Sequence, residues 1–228
     1  MKLSVFLKTN EIYAGIIYLL IDLFALPAAM GILNAALPVP LDAAVLNFIF
    51  FCINFLAVTV LLRRFLRANF RIFREDIGKC LLYALAGFVL YRMANLAIGS
   101  LILLFYPDFA NVNDASIATM MGEHFVITAV GTVLLVPITE ELLYRGVVFR
   151  GLYERFPRLA WVVSTAVFAF IHVMGFIGSA DLMTICLCFI QYIPAALVLA
   201  WSYGKTDSIM TPVLIHTAVN LVGILSLR

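Results

Sequence analysis

Charge is what this sequence has least of. Only 12% of its 228 residues are Asp, Glu, Lys or Arg, about half the share of a soluble domain. No segment is long and polar enough to fold as a soluble unit, which leaves one membrane domain, residues 1–228, as the working architecture. The net charge of +2 is too small to point to nucleic acid as a partner. Cysteine is scarce too: Cys52, Cys80, Cys186 and Cys188 all fall within or at the end of apolar runs. They read as small hydrophobes rather than a disulfide framework or metal site. The N-terminal "MKLSVFLKTNEIYAG" lacks a short apolar core followed by a small-residue cleavage site, so no removed signal peptide is expected.

Apolar residues fill the space instead. They make up 64% of the chain, with a mean hydropathy of +1.09, and runs of 18 or more recur from end to end. That pattern predicts an all-α, polytopic transmembrane bundle of about seven spans, with seven or eight helices. The spans are placed near 13–35, 42–62, 78–106, 123–150, 159–178, 182–203 and 208–227. The third and fourth are long for one crossing, so tilts, breaks or half-helices are expected there. Basic residues cluster in alternate loops: Lys2 and Lys8; Arg63, Arg64, Arg67, Arg71, Arg74 and Lys79; Arg150, Arg155 and Arg158; then Lys205. "PDFANVNDAS" is acidic. This alternation predicts a cytoplasmic N-terminus, although seven spans then put Arg228 outside. Within the second basic loop, Leu66, Phe70, Phe73 and Ile77 form a stripe beside Arg63, Arg67, Arg71 and Arg74. An interfacial helix on anionic headgroups and a plain positive-inside loop both fit that stripe.

Charged residues inside the spans carry the information, because each costs roughly 2.5–3.5 kcal/mol at mid-helix. They are Asp22, Arg92, Glu140, Glu141 and Arg145, joined by His172 and His216. In "PITEELLYRG", Glu141 and Arg145 stand four apart with the acid first, the favoured order for a helical ion pair. Glu140 then sits about 100° round the helix without that partner. A desolvated carboxylate beside a second carboxylate is a candidate for acid–base work. Pro137 removes a backbone donor and distorts the helix just before it. "FAFIH" puts Phe168 and His172 on one face, and "PVLIHTAVN" does the same for His216 and Asn220. Counting from the cytoplasmic loops at 1.5 Å per residue, His216 lies about 12 Å deep, Glu140 about 15 Å and His172 roughly 20 Å. The three can meet in one layer, in the middle or cytoplasmic half of the membrane. Asp22 and Arg92 belong to no such pattern and are expected to pair with each other as structural charges. His124, at the start of a span, is expected to face water or headgroups.

Glu140-Glu141-x-x-x-Arg145, Phe168-x-x-x-His172 and His216-x-x-x-Asn220, in order on separate spans across residues 122–228, resemble the three motifs of the CPBP family. This family comprises type II CAAX prenyl proteases with their Abi and bacteriocin-processing relatives. The resemblance implies an intramembrane glutamic endopeptidase in a cell membrane of bacterial type, with a peptide or protein substrate, lipidated or not. It also implies roles. Glu140 and His172 would activate water, His216 and Asn220 would stabilise the oxyanion, and Glu141 and Arg145 would order them. No cofactor is implied. Two rival readings stay open. Zinc held by Glu140, His172 and His216 has suitable ligand types, although the chain has no HExxH. A non-enzymatic transporter, proton relay or immunity-type scaffold would also use intramembrane Glu and His, but no repeated half is visible. There is no GxSxG, and Asp22 has no acidic mate of the kind an aspartyl protease needs.

Overall fold

The polar termini of the apolar runs set where helices begin in the computed structural model, which describes residues 3–227. Lys2 and Arg228, both used in the charge alternation, lie outside those residues. Among the described residues eight helices follow one another: α1 Thr9–Ala35, α2 Ala43–Leu61, α3 Arg63–Glu75, α4 Ile77–Phe105, α5 Val112–Tyr153, α6 Pro157–Met174, α7 Leu182–Thr206 and α8 Met210–Ser226. Side chains cap four of them. Asp42 accepts from Val45 N, Asp76 from Lys79 N, Asn111 from Asn113 N and Asp181 from Thr184 N. Each satisfies a donor that the first helical turn leaves open.

Six of the helices are long and apolar enough to cross a bilayer. The other two are α3 and α8, the latter with 17 residues. Residues on the outer faces, such as Leu82, Leu96, Leu104, Val126 and Val162, are exposed. In water they would form an adhesive belt; in lipid they have their natural solvent. The second half of α5 runs through the middle of the bundle. Between Glu141 and Arg150 only Val148 is not buried, as expected of a helix packed on all sides. α6 packs against this segment, α7 packs against α6 and α4, and α8 packs against α4.

One expectation needs correction. The fourth span was placed from 123, but helix begins at Val112 and bends at His124, whose backbone leaves the helical region at φ −145° and ψ 83°. Part of the acidic "PDFANVNDAS" is therefore helical. His124 is exposed, as expected, with its Nε2 3.0 Å from Asp42 Oδ2. The basic loop forms a helix, α3, which buries Phe65 and Asn69 and leaves Phe70 of the stripe exposed. Asn69 faces inward because its Oδ1 accepts from Ile209 N at 2.9 Å and Ser208 Oγ donates to its carbonyl at 2.9 Å.

The basic loops converge on one end of the bundle. There residues 3–8 lie as an extended strap over the end of α5. Arg150 donates to Val5 O at 2.8 Å and its guanidinium stacks on Phe6. Arg64 pairs with Glu11 and donates to Phe6 O at 2.8 Å. Asp207, in left-handed backbone at φ 57°, accepts from Ser4 N.

Candidate active site

Proline shapes the backbone that carries the glutamates. The chain widens into π-geometry at Gly131–Leu135 and again at Glu141–Arg150, with a short α-helical stretch holding Pro137 between them. In the first π-turn Val136 N bonds to Gly131 O. The next donor in that register, for Thr132 O, would be residue 137, and proline has none. Thr132 O is left for a side chain, and Asn220 Nδ2 of α8 takes it at 2.8 Å. A similar π-turn, Ile21–Ala25, precedes Pro27 in α1 and carries Asp22. π-Turns inside helices are rare and gather at functional sites.

α5, α6 and α8 bring the motif residues together. Glu140 Oε2 lies 3.9 Å from His172 Nε2 and 4.0 Å from His216 Nε2. That oxygen is buried and accepts no hydrogen bond from the described residues. Behind the histidines the two ring partners differ in kind. His172 Nδ1 sits 2.8 Å from the carbonyl of Phe168. His216 Nδ1 sits 3.0 Å from Glu141 Oε1. That same oxygen is 3.2 Å from Arg145 Nη1, and both of these side chains are fully buried. Arg145 also donates from Nη2 to Ala196 O at 3.3 Å and lies 4.3 Å above the centre of the Phe168 ring. Phe168 thus touches both the guanidinium and His172, whose ring centre lies 4.6 Å from its own.

Two cavities meet at Glu140. One of about 490 Å³ is bordered by Glu140, His172, His216 and Asn220, and extends to Arg92 and Asp114. The other, about 400 Å³ and mostly apolar, reaches Asp22, Asn54 and Tyr144. Asp22 and Arg92 were expected to pair, but no ion pair joins them among the described residues. They line different cavities, because Asp22 on α1 lies beside Asn54 while Arg92 is on α4.

Sequence reasoning also missed residues. Tyr192 of α7 stacks on His172 with ring centres 4.2 Å apart, and its hydroxyl accepts from Asn113 Nδ2 at 3.1 Å. The one available signal was the polar pair Gln191-Tyr192 just before the mid-helix Pro194. Among the described residues, no group of three or more His, Cys, Asp or Glu is arranged to hold a metal ion. All four cysteines are free thiols.

Residues 122–222 match the family model described as type II CAAX prenyl endopeptidase Rce1-like. This part of the chain is similar to the CAAX protease family. The family segment contains every residue of the three motifs and all of the contacts among Glu140, Glu141, Arg145, His172 and His216. The chain is also 27% identical over 153 residues, 64% of its length, to the "Putative membrane peptidase YdiL" of Bacillus subtilis (strain 168). It is 27% identical over 90 residues, 40% of its length, to the "UPF0177 protein YxdF" of Lactococcus lactis subsp. lactis (strain IL1403). These matches span about half of the relatives' own lengths, 56% and 44% respectively. No solved structure matches the chain closely.

Proposed function

We propose that this protein is an intramembrane endopeptidase that hydrolyses a peptide bond with water activated by Glu140 and His172. The observation that carries the reading is the placement of Glu140 Oε2, buried, unbonded, and within 4.0 Å of both imidazole Nε2 atoms. A water bridging these groups would make hydrogen bonds of ordinary length, about 2.8 Å.

The partners behind the rings divide the labour. The Phe168 carbonyl can only accept, so the His172 hydrogen sits on Nδ1 and Nε2 presents a lone pair. His172 therefore receives one hydrogen of the water while Glu140 receives the other as a proton. The freed oxygen pair attacks the scissile carbonyl carbon. His216 is held through Nδ1 by the Glu141 carboxylate, which aims Nε2 at the developing oxyanion as a donor. Asn220 uses one amide hydrogen on Thr132 O and has a second available for the same oxyanion. Glu140 then passes its proton to the leaving nitrogen, the C–N bond breaks, and the carboxyl and amine products separate. No covalent intermediate forms.

The test is cleavage of a mixed library of lipidated and unlipidated peptides by detergent-purified protein, with and without chelator. Glu140→Gln and His172→Ala are expected to lower the rate by about 10²–10⁴-fold each. Asn220→Ala should lower it by about 10²-fold. Chelator-sensitive cleavage restored by zinc would replace this reading with a metal-dependent one. Cleavage by neither wild type nor variants would favour a scaffold.

A further inference from the structure

The same 490 Å³ cavity has a second polar end that the hydrolytic chemistry leaves unused. Arg92 stands near the middle of α4 and lines the cavity together with Asn95, one turn further on. A guanidinium at that depth is costly unless it faces a polar space or a counter-charge. Among the described residues its side chain has neither an ion pair nor a hydrogen bond, and the Asn95 amide is likewise unbonded. Residues three apart on a helix present their side chains to one side, so both donor groups border the space that contains Glu140. Asp114 borders it too but forms no ion pair with Arg92. Arg92 is exposed and borders this cavity, so an anion that enters the cavity can reach it.

We propose that Arg92, with Asn95, is a carboxylate-binding subsite that anchors one end of the substrate peptide while Glu140 acts at the other. The proposal builds on the endopeptidase reading: the cavity is taken as the peptide's seat, and its length between Arg92 and Glu140 fixes how far the cut lies from the anchored carboxylate. A guanidinium suits this task because it is always charged and grips a carboxylate with two parallel donors.

The test captures short peptides on immobilised Glu140→Gln protein, which binds without needing to cut. A library is offered both with free C-terminal carboxylates and as C-terminal amides, and retention is read by mass spectrometry. Acids should be retained roughly ten- to a hundred-fold over amides, the range of a charge-assisted hydrogen bond. In Glu140→Gln/Arg92→Gln the two forms should be retained equally. Arg92→Lys should keep part of the preference, Asn95→Ala should weaken it, and Asp114→Asn should leave it in place. Amides retained through an internal Asp or Glu, again only with Arg92, would keep the subsite and move its ligand to a side-chain carboxylate.

Equal retention of acids and amides by the Arg92 protein overturns the proposal. So does a preference that survives Arg92→Gln in protein with unchanged melting. An Arg92-dependent response to phosphatidylglycerol nanodiscs with no acid preference would assign the residue to lipid instead. Cleavage measured in parallel on the wild type separates the two readings. Cutting without acid preference sinks the subsite alone, and acid preference without cutting sinks the peptidase reading alone. Retention of no peptide in either form overturns both.

Discussion

Arg145 is fully buried, yet only its Nη2 makes an aligned hydrogen bond, to Ala196 O; Nε and Nη1 are without one. Its stabilisation comes from the charge of Glu141 at 3.2 Å and the face of Phe168. Glu141 in turn holds His216, so a single substitution propagates along the row. Arg145→Met leaves Glu141 buried with His216 alone and should destabilise the protein by about 3–5 kcal/mol. Glu141→Gln/Arg145→Met, which removes both charges, should cost clearly less than the sum of the single changes. A double-mutant cycle by denaturant unfolding in detergent checks this, and additive losses would show that the pair is not coupled. These residues were legible in the sequence because charge inside an apolar run is expensive and so stands out. Tyr192 was not, since an aromatic ring in a membrane helix is ordinary until its partner is seen. The Thr132 carbonyl could not be read at all, because every residue has one. Arg92 was noticed but given the wrong neighbour, because sequence order says nothing about which cavity a mid-helix charge lines.

At the level of the helix, α5 and α8 are joined where proline has removed a donor. Pro137→Ala would supply the missing N–H, let Thr132 O be satisfied within α5, and free Asn220 from it. The expected outcome is a protein at least as stable as wild type but slower in cleavage by about ten-fold or more, since oxyanion donors act through placement. Melting and turnover measured on the same preparation decide it; unchanged turnover would mean that the Asn220–Thr132 contact has no part in catalysis. Gly87 makes a matching test between α4 and α8. A Cβ there would collide with the end of the Ile215 side chain, next to His216. Gly87→Val should destabilise by about 1–3 kcal/mol and lower turnover through His216, whereas a loss of stability alone would show that Ile215 repacks without moving the histidine. Apolar runs located seven of the eight helices in order, while α3 is basic and amphipathic. Only six are long and apolar enough to span, and Pro137 announced a distortion. The π-geometry itself could not be read, because it depends on which donors the neighbouring helices leave free. The buried face of α3 escaped for the same reason: Asn69 turns inward only because the backbone at 208–209 offers it partners.

For the molecule as a whole, the end where basic loops gather is closed by the N-terminal strap, and Arg150 is the tie. It is 3% exposed, donates to the carbonyls of Leu3 and Val5, pairs with Glu154 and stacks on Phe6. Leu3 and Leu7 are buried beneath it. Charge alternation placed these loops on one side but could not foresee that an arginine of α5 would be spent on the N-terminal backbone rather than on lipid headgroups. Arg150→Leu keeps the apolar bulk and removes the donors, so the strap should come loose while the bundle stays folded. Unfolding free energy is expected to fall by about 2 kcal/mol or more, as for the loss of buried charged hydrogen bonds. Trypsin should then cut after Lys8 much faster than in the wild type. Arg150 is ten residues along α5 from Glu140, at the far end of the Glu141–Arg150 π-segment. If that segment only transmits packing, cleavage per folded molecule stays at the wild-type rate. If turnover falls along with the strap's release, the π-segment moves as one piece and the N-terminus helps to set the position of Glu141 and, through it, of His216.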